Sequence, residues 1–147
     1  MNQRTLHLID IENLAGTGHV DALTARRIAR DYRAFAQSAG SDLLVVACSH
    51  HSGFPVAAAF PDASVRWRSG PDGADIALIE AAIELPLARF DRLVLGSGDG
   101  IFLALVRRAK AAGIPVHVVA RRCGAARTLV QAADYFIEFA DPAPLAA

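Results

Sequence analysis

Three aspartates in this chain stand where a strand has just ended or a helix is about to begin. Asp10 closes the apolar run "TLHLID" (5–10) and is followed by Glu12 and Asn13. Asp99 is the only charge in "LVLGSGDGIF" (93–102), two residues after Ser97, and Asp75 enters a helical segment from "SGPDGADIALIE" (69–80). Carboxylates that meet in one place repel one another unless a cation or a shared proton offsets the charge. An all-oxygen set of this kind suits Mg²⁺ or Mn²⁺, which keep several waters and use those positions for substrate phosphates. Each aspartate taken singly has a plainer role, because Asp75 and Asp99 sit where N-caps or first-turn acids are favoured and Asp10 could close an Asx turn. Capping does not account for an acid at the end of an apolar strand followed by "IEN", or for glycines in "GSGDG" that open the backbone to close approach.

The chemistry depends on the three acids meeting, so the elements that carry them matter. "TLHLID" (5–10), "DLLVVACS" (42–49), "SVRWR" (64–68), "RLVLGS" (92–97) and "PVHVVA" (115–120) read as strands, most of them too continuously apolar to have a wet face. Between the first two, the segment 21–39 sets Ile28, Tyr32, Phe35, Ala36 and Ala39 on one helical stripe and Arg26, Arg30 and Arg33 on another. Further helices are expected over 54–60, 74–85, 100–112 and 125–133, with "YFIEF" (135–139) as a sixth short strand. This alternation predicts an α/β fold, a doubly wound and mainly parallel sheet of five or six strands with helices on both faces. In such sheets ligands bind outside the carboxyl ends of the strands, which is the edge where Asp10, Asp75 and Asp99 arrive. Arg68, Arg121 and Arg122 follow the third and fifth strands, flank the same edge and could clamp a polynucleotide backbone, although an ordinary solvated rim accounts for them equally well. Trp67 reads as packing rather than as a stacking platform.

Composition narrows the function classes. The chain has 147 residues, 53% of them hydrophobic and 20% charged, as expected of one well-cored domain. Residues 1–140 are expected to form it, with 141–147 a frayed tail. No apolar stretch reaches the roughly 18–20 residues that span a bilayer, and the N-terminal stretch lacks a signal-peptide profile, so a cytoplasmic protein without a membrane partner is expected. Two cysteines fit a reducing compartment better than a disulfide framework. The formal net charge is zero, so bulk electrostatics name no partner, but Lys110 is the sole lysine and arginine, the better bidentate phosphate ligand, supplies the other cations. Oligomeric state is left open.

Four segments, in order, resemble the NYN domain, the LabA-like branch of the PIN-like nuclease superfamily: "LIDIENL", "GADIALIEAA", "LVLGSGDGIFLALVRRAKAAGIPVHVVA" and "AARTLVQAADYFIEF". The resemblance implies strand order 3-2-1-4-5, with Asp10 and Asp99 side by side at the switch point. It also implies metal-dependent hydrolysis of phosphodiester bonds, usually in RNA, single-stranded or structured. Position by position, Asp10, Asp75 and Asp99 match the family's metal-binding acids, Asn13 the asparagine after the first, and Ser97 the serine or threonine before "GD". The implied mechanism is attack by a water that Mg²⁺ or Mn²⁺ activates, with Ser97 placing that water or Asp99 and the amides of Gly98 to Gly100 contacting a phosphate. Two positions depart from the pattern. Ile101 stands where many relatives have a second aspartate, and Glu80 lies one residue out of step, about 140° around the helix from Asp75 at roughly 100° per residue.

Other classes compete less well. A catalytically weakened module that binds nucleic acid or protein is the main alternative, supported by Ile101 and opposed by the three aspartates. A haloacid-dehalogenase-like phosphatase would use Asp10 and Glu12 as its acidic pair, but Glu12 is not the usual acid and no lysine precedes Asp99. A zinc site built from "CSHH" (48–51) and Cys123 fails on geometry, since the second and fifth strands would lie about 14 Å apart at roughly 4.8 Å per strand. No phosphate-binding glycine motif follows a strand.

Overall fold

The computed structural model describes residues 3–140; the segment 141–147, expected to be frayed, lies outside the described residues. Six strands form one sheet in the order β3-β2-β1-β4-β5-β6, and every neighbouring pair is parallel. They are β1 (Thr5–Asp10), β2 (Leu43–Cys48), β3 (Ser64–Trp67), β4 (Arg92–Gly96), β5 (Val116–Ala120) and β6 (Tyr135–Glu138). The sixth strand therefore forms, and it extends the expected order by one position.

All six residues of β1 are buried, because it lies between β2 and β4 with helices on both faces. Its side chains alternate between two cores, as the pleat requires. Leu6 and Leu8 join Val45, Leu95 and Val118 beneath α4 (Gly73–Glu84), α5 (Leu103–Ala111) and α6 (Arg127–Ala132). Ile9 joins Val46, Val94 and Val119 on the other face, beneath α1 (Ile11–Ala15), α2 (Ala22–Ala36) and α3 (Gly53–Ala59). Among the described residues no helix is long and apolar enough to cross a membrane.

The winding places the site. From β1 the chain steps outward to β2 and β3, and α4 then carries it back across the sheet to β4 on the other side of β1. The loops after β1 and β4 therefore diverge, and α4 starts at the same carboxyl edge.

Several expected details differ. The five-residue α1 follows β1 directly and is too short to show a periodicity in sequence. The second helix ends at Ala36, where Gln37 takes a left-handed conformation (φ 52°), so Ala39 lies beyond it and Phe35 is exposed, its ring edge against Phe139. The segment 100–102 is a 3₁₀ turn ahead of α5 rather than helix. Cys48 is buried in β2 and Cys123 is exposed beyond β5, both free and separated by two intervening strands.

One polar side chain of β1 points into the core. His7 is fully buried, with Nδ1 2.8 Å from the Tyr32 hydroxyl and Nε2 2.8 Å from Asp42 Oδ2. Burial outweighs the Asp42 carboxylate and holds His7 below its ordinary pKa, so the ring is neutral at pH 7. The consistent tautomer donates from Nε2 to Asp42 and accepts from Tyr32 at Nδ1. Tyr32→Phe keeps the ring volume but leaves Nδ1 buried without a donor. The expected loss is about 1–3 kcal/mol of unfolding free energy, measured by urea denaturation; an unchanged midpoint would show that this bond contributes nothing.

Candidate active site at the carboxyl edge of the sheet

Asp10 is both the last residue of β1 and the N-cap of α1. Its Oδ1 accepts from the Asn13 amide at 3.4 Å and its Oδ2 from Ser97 Oγ at 3.2 Å. Ser97 Oγ in turn accepts from the Asp99 amide at 3.2 Å, and Asn13 Oδ1 accepts from the Gly98 amide at 2.9 Å. Asn13 and Ser97 thus lace the end of β1 to the loop after β4. Gly98 has to be glycine for this loop to close, since a Cβ there would lie 2.8 Å from the Ala125 backbone.

Asp75 reaches the same point from the first turn of α4. The turn before it is tight: Asp72 is left-handed (φ 56°), and a Cβ on Gly73 would stand 2.4 Å from the Arg68 carbonyl oxygen. Asp75 is buried, and its carboxyl faces that of Asp10. Burial first, then the facing Asp10, pushes Asp75 up to about 8. Burial also raises Asp10, partly offset by its hydrogen bonds to Asn13 and Ser97. Facing each other in a desolvated wall, the two groups resist being charged together.

Asp10, Asp75 and Asp99 line one cleft of about 230 Å³, shared with Glu12, Asn13 and Arg68. The three acids that lie far apart in sequence thus open onto a common space. Asp99 is half-buried, and its Oδ1 accepts from the Ile101 amide at 3.0 Å, capping the 3₁₀ turn. Among the described residues no group of three or more His, Cys, Asp or Glu side chains is arranged to hold a metal ion. Asp10 and Asp75 are the two carboxylates that could ligate one together, with Asp99 across the cleft.

The remaining candidates separate clearly. Glu12 Oε2 accepts from the Ser49 amide (3.1 Å), Ser49 Oγ (2.7 Å) and Ser52 Oγ (3.3 Å), binding α1 to the end of β2. Ser49 and Ser52 are absent from the expected site, and nothing near Glu12 in sequence signals partners 37 and 40 positions away. Glu80 is exposed and paired with Arg68 at 2.7 Å, while Arg68 also lines the cleft. Arg121 and Arg122 line a different hollow with Cys123 and Glu138; the Arg121 guanidinium packs over Gly16 and Arg122 pairs with Glu138 at 3.0 Å. The expected phosphate-binding amides are partly committed, since those of Gly98 and Asp99 donate to Asn13 and Ser97. Ile101 is 41% exposed.

The upward shift of Asp75 has a measurable consequence. Its carboxyl is pushed up to about 8 in the folded state against an ordinary value of 3.8, so across that window the folded state should bind a proton that the unfolded state lacks. Stability in EDTA should therefore fall as pH rises from about 4 to about 8. Asp75→Asn does not titrate, so its melting temperature should vary less over that window and exceed the parental value at pH 8. Identical pH profiles for both proteins would rule out the raised Asp75.

A model of the NYN domain matches residues 4–140. No curated protein matches the sequence. Among solved structures, a protein of unknown function from Vibrio parahaemolyticus superposes with a TM-score of 0.65 at 21% identity, over 95% of this chain and 94% of that one, a likeness of fold. With the family match spanning nearly the whole described chain, this protein belongs to the NYN domain family, within the PIN-like nuclease superfamily.

Proposed function

We propose that the protein is a metal-dependent endoribonuclease that hydrolyses phosphodiester bonds in RNA at the Asp10, Asp75 and Asp99 cleft. The observation that carries the reading is the cleft that Asp10, Asp75 and Asp99 line together, with Asp10 and Asp75 both buried in its wall. Mg²⁺ or Mn²⁺ fits the donor chemistry: both are hard cations, and Mg²⁺ is commonly held by one or two carboxylates, with water and substrate phosphate in the remaining positions. A closed cage of three side chains is not needed for such binding. Bound there, the ion would supply positive charge against a phosphate oxygen and lower the pKa of an attacking water.

The chain's own residues supply position and charge. Ser97 holds Oδ2 of Asp10 and the Asp99 amide together, so the ends of β1 and β4 keep a fixed separation. Asn13 holds Gly98 and stops the glycine loop from drifting off the cleft. Arg68, already at the rim, can exchange its exposed ion pair with Glu80 for a phosphate, since exposed pairs are worth only about 0–1 kcal/mol. The weakened binding module keeps one specific support, the exposed Ile101 in place of an acid together with Glu80 turned to Arg68.

Purified protein should cleave single-stranded RNA with Mg²⁺ or Mn²⁺ and stop in EDTA; cleavage that survives complete metal removal would reject the mechanism. Asp99→Asn keeps the capping acceptor and removes the charge, so the rate should drop about 10- to 100-fold, the range for groups acting on a metal from its outer shell, with melting unchanged. Because Ile101 is exposed, Ile101→Asp should be tolerated and should tighten metal binding or raise the rate. A folded Asp99→Asn protein with parental cleavage would make Asp99 a cap only. No cleavage of RNA or DNA under any metal would leave the binding module.

A further inference from the structure

Beside the acidic cleft, the last residue of edge strand β3 exposes a large aromatic surface. Trp67 is 48% exposed and Phe54, on α3, is 81% exposed; their rings meet edge to face with centroids 5.4 Å apart. Singly exposed apolar residues are ordinary on protein surfaces, but this pair is built. A Cβ on Gly53 would stand 1.4 Å from Trp67 Cε3, so the indole occupies space that any other residue at position 53 would fill. Glycine in the first turn of α3 is what lets Trp67 lie there.

Neither ring lines the cleft, and Trp67 packs on the α3 side of the sheet while Arg68 turns toward α4, but both rings adjoin segments that do line it. Arg68, the next residue, lines the cleft, and so does Gly70. Ser69 between them is hydrogen-bonded to His50 Nδ1, which ties the loop after β3 to the 3₁₀ turn 50–52 that leads into Gly53 and Phe54. His50 and His51 are exposed, and their rings lie 3.9 Å apart. Flat rings thus stand one residue from Arg68, a guanidinium at the rim of a site that takes phosphate on the reading above. A polynucleotide strand has that combination, with unpaired bases carrying π-faces and a backbone carrying negative charge. A double helix keeps its bases stacked inside and could not use the rings.

We propose that Phe54 and Trp67 form a base-stacking ledge that holds one or two unpaired bases of single-stranded RNA while the backbone passes Arg68 into the acidic cleft. The proposal rests on the nuclease reading for where the scissile phosphate lies, but binding can be measured without cleavage. Stacking on aromatic rings is tolerant of base identity, so the ledge selects for single-strandedness rather than for sequence.

Trp67 is the only tryptophan, so its fluorescence reports on the ledge alone. In EDTA, a short unstructured oligouridylate should quench it saturably, and the same length of duplex RNA should not. Anisotropy of a fluorescein-labelled oligouridylate should show Phe54→Ala and Trp67→Ala binding between about 5- and 150-fold more weakly, the range for loss of one aromatic–base stack. Trp67→Phe should restore most of the affinity while abolishing the tryptophan signal. Thermal melts separate lost binding from lost fold, and Phe54→Ala, at so exposed a position, keeps the test available if Trp67→Ala unfolds. Binding with no quenching and no loss in Phe54→Ala would overturn the ledge and leave the nuclease reading standing. Binding with quenching in a protein that never cleaves would sustain the ledge and overturn the catalytic reading. No binding to single-stranded RNA would overturn the ledge, as would a dimer in sedimentation that Phe54→Ala dissolves.

Discussion

Two buried carboxyl groups that face each other, Asp10 and Asp75, set the terms for the rest of this structure. Desolvation penalises the charge of each, and their proximity penalises both being charged together. The surrounding residues oppose that penalty only in part. Asn13 and Ser97 donate to Asp10. On the metal-dependent reading, an added cation would relieve the rest of the penalty, and the remainder of the sheet holds the two groups in place against their repulsion.

That restraint comes from the way the sheet is wound. β1 is buried along its whole length, so Asp10 cannot retreat into solvent without disturbing Ile9 and Ile11, both in the core. α4 buries Ala77, Leu78, Ala81 and Ala82 against the opposite core, which fixes its first turn and hence Asp75. Gly73 and the left-handed Asp72 bring that turn close under Arg68. Apolar packing a few residues away thus anchors each acid, and for Asp10 the hydrogen bonds from Asn13 and Ser97 add to it.

Much of this was legible in the sequence, for identifiable reasons. The strands of the central sheet are apolar because helices cover both faces, and that pattern marks β1, β2, β4 and β5 directly. Asp10 and Asp99 could be assigned to one edge because a parallel sheet has a single carboxyl edge. Local periodicity did not reveal α1, whose single turn is shorter than the pattern that would announce it. Nor could it place Glu12, whose serine partners come from another strand end. Helical phase sets Phe35 on the apolar stripe but cannot tell that the helix lies at the margin of the core, where Phe139 covers only an edge of the ring.

Trp67 reads as packing, and it does pack, against Gly53 and Phe54, but at the surface rather than in the core. An indole at the end of an apolar segment reads as core, because burial is where tryptophan usually gains most. β3, however, is an edge strand whose outer neighbour is solvent, and its burial pattern is exposed at both ends. Position within the sheet, which follows from the winding and not from the local residues, decides that the ring faces outward. The same winding that sets β1 and β4 side by side for the acids sends β3 to the margin. An aromatic surface at the end of an edge strand is therefore brought within one residue of a side chain that lines the cleft.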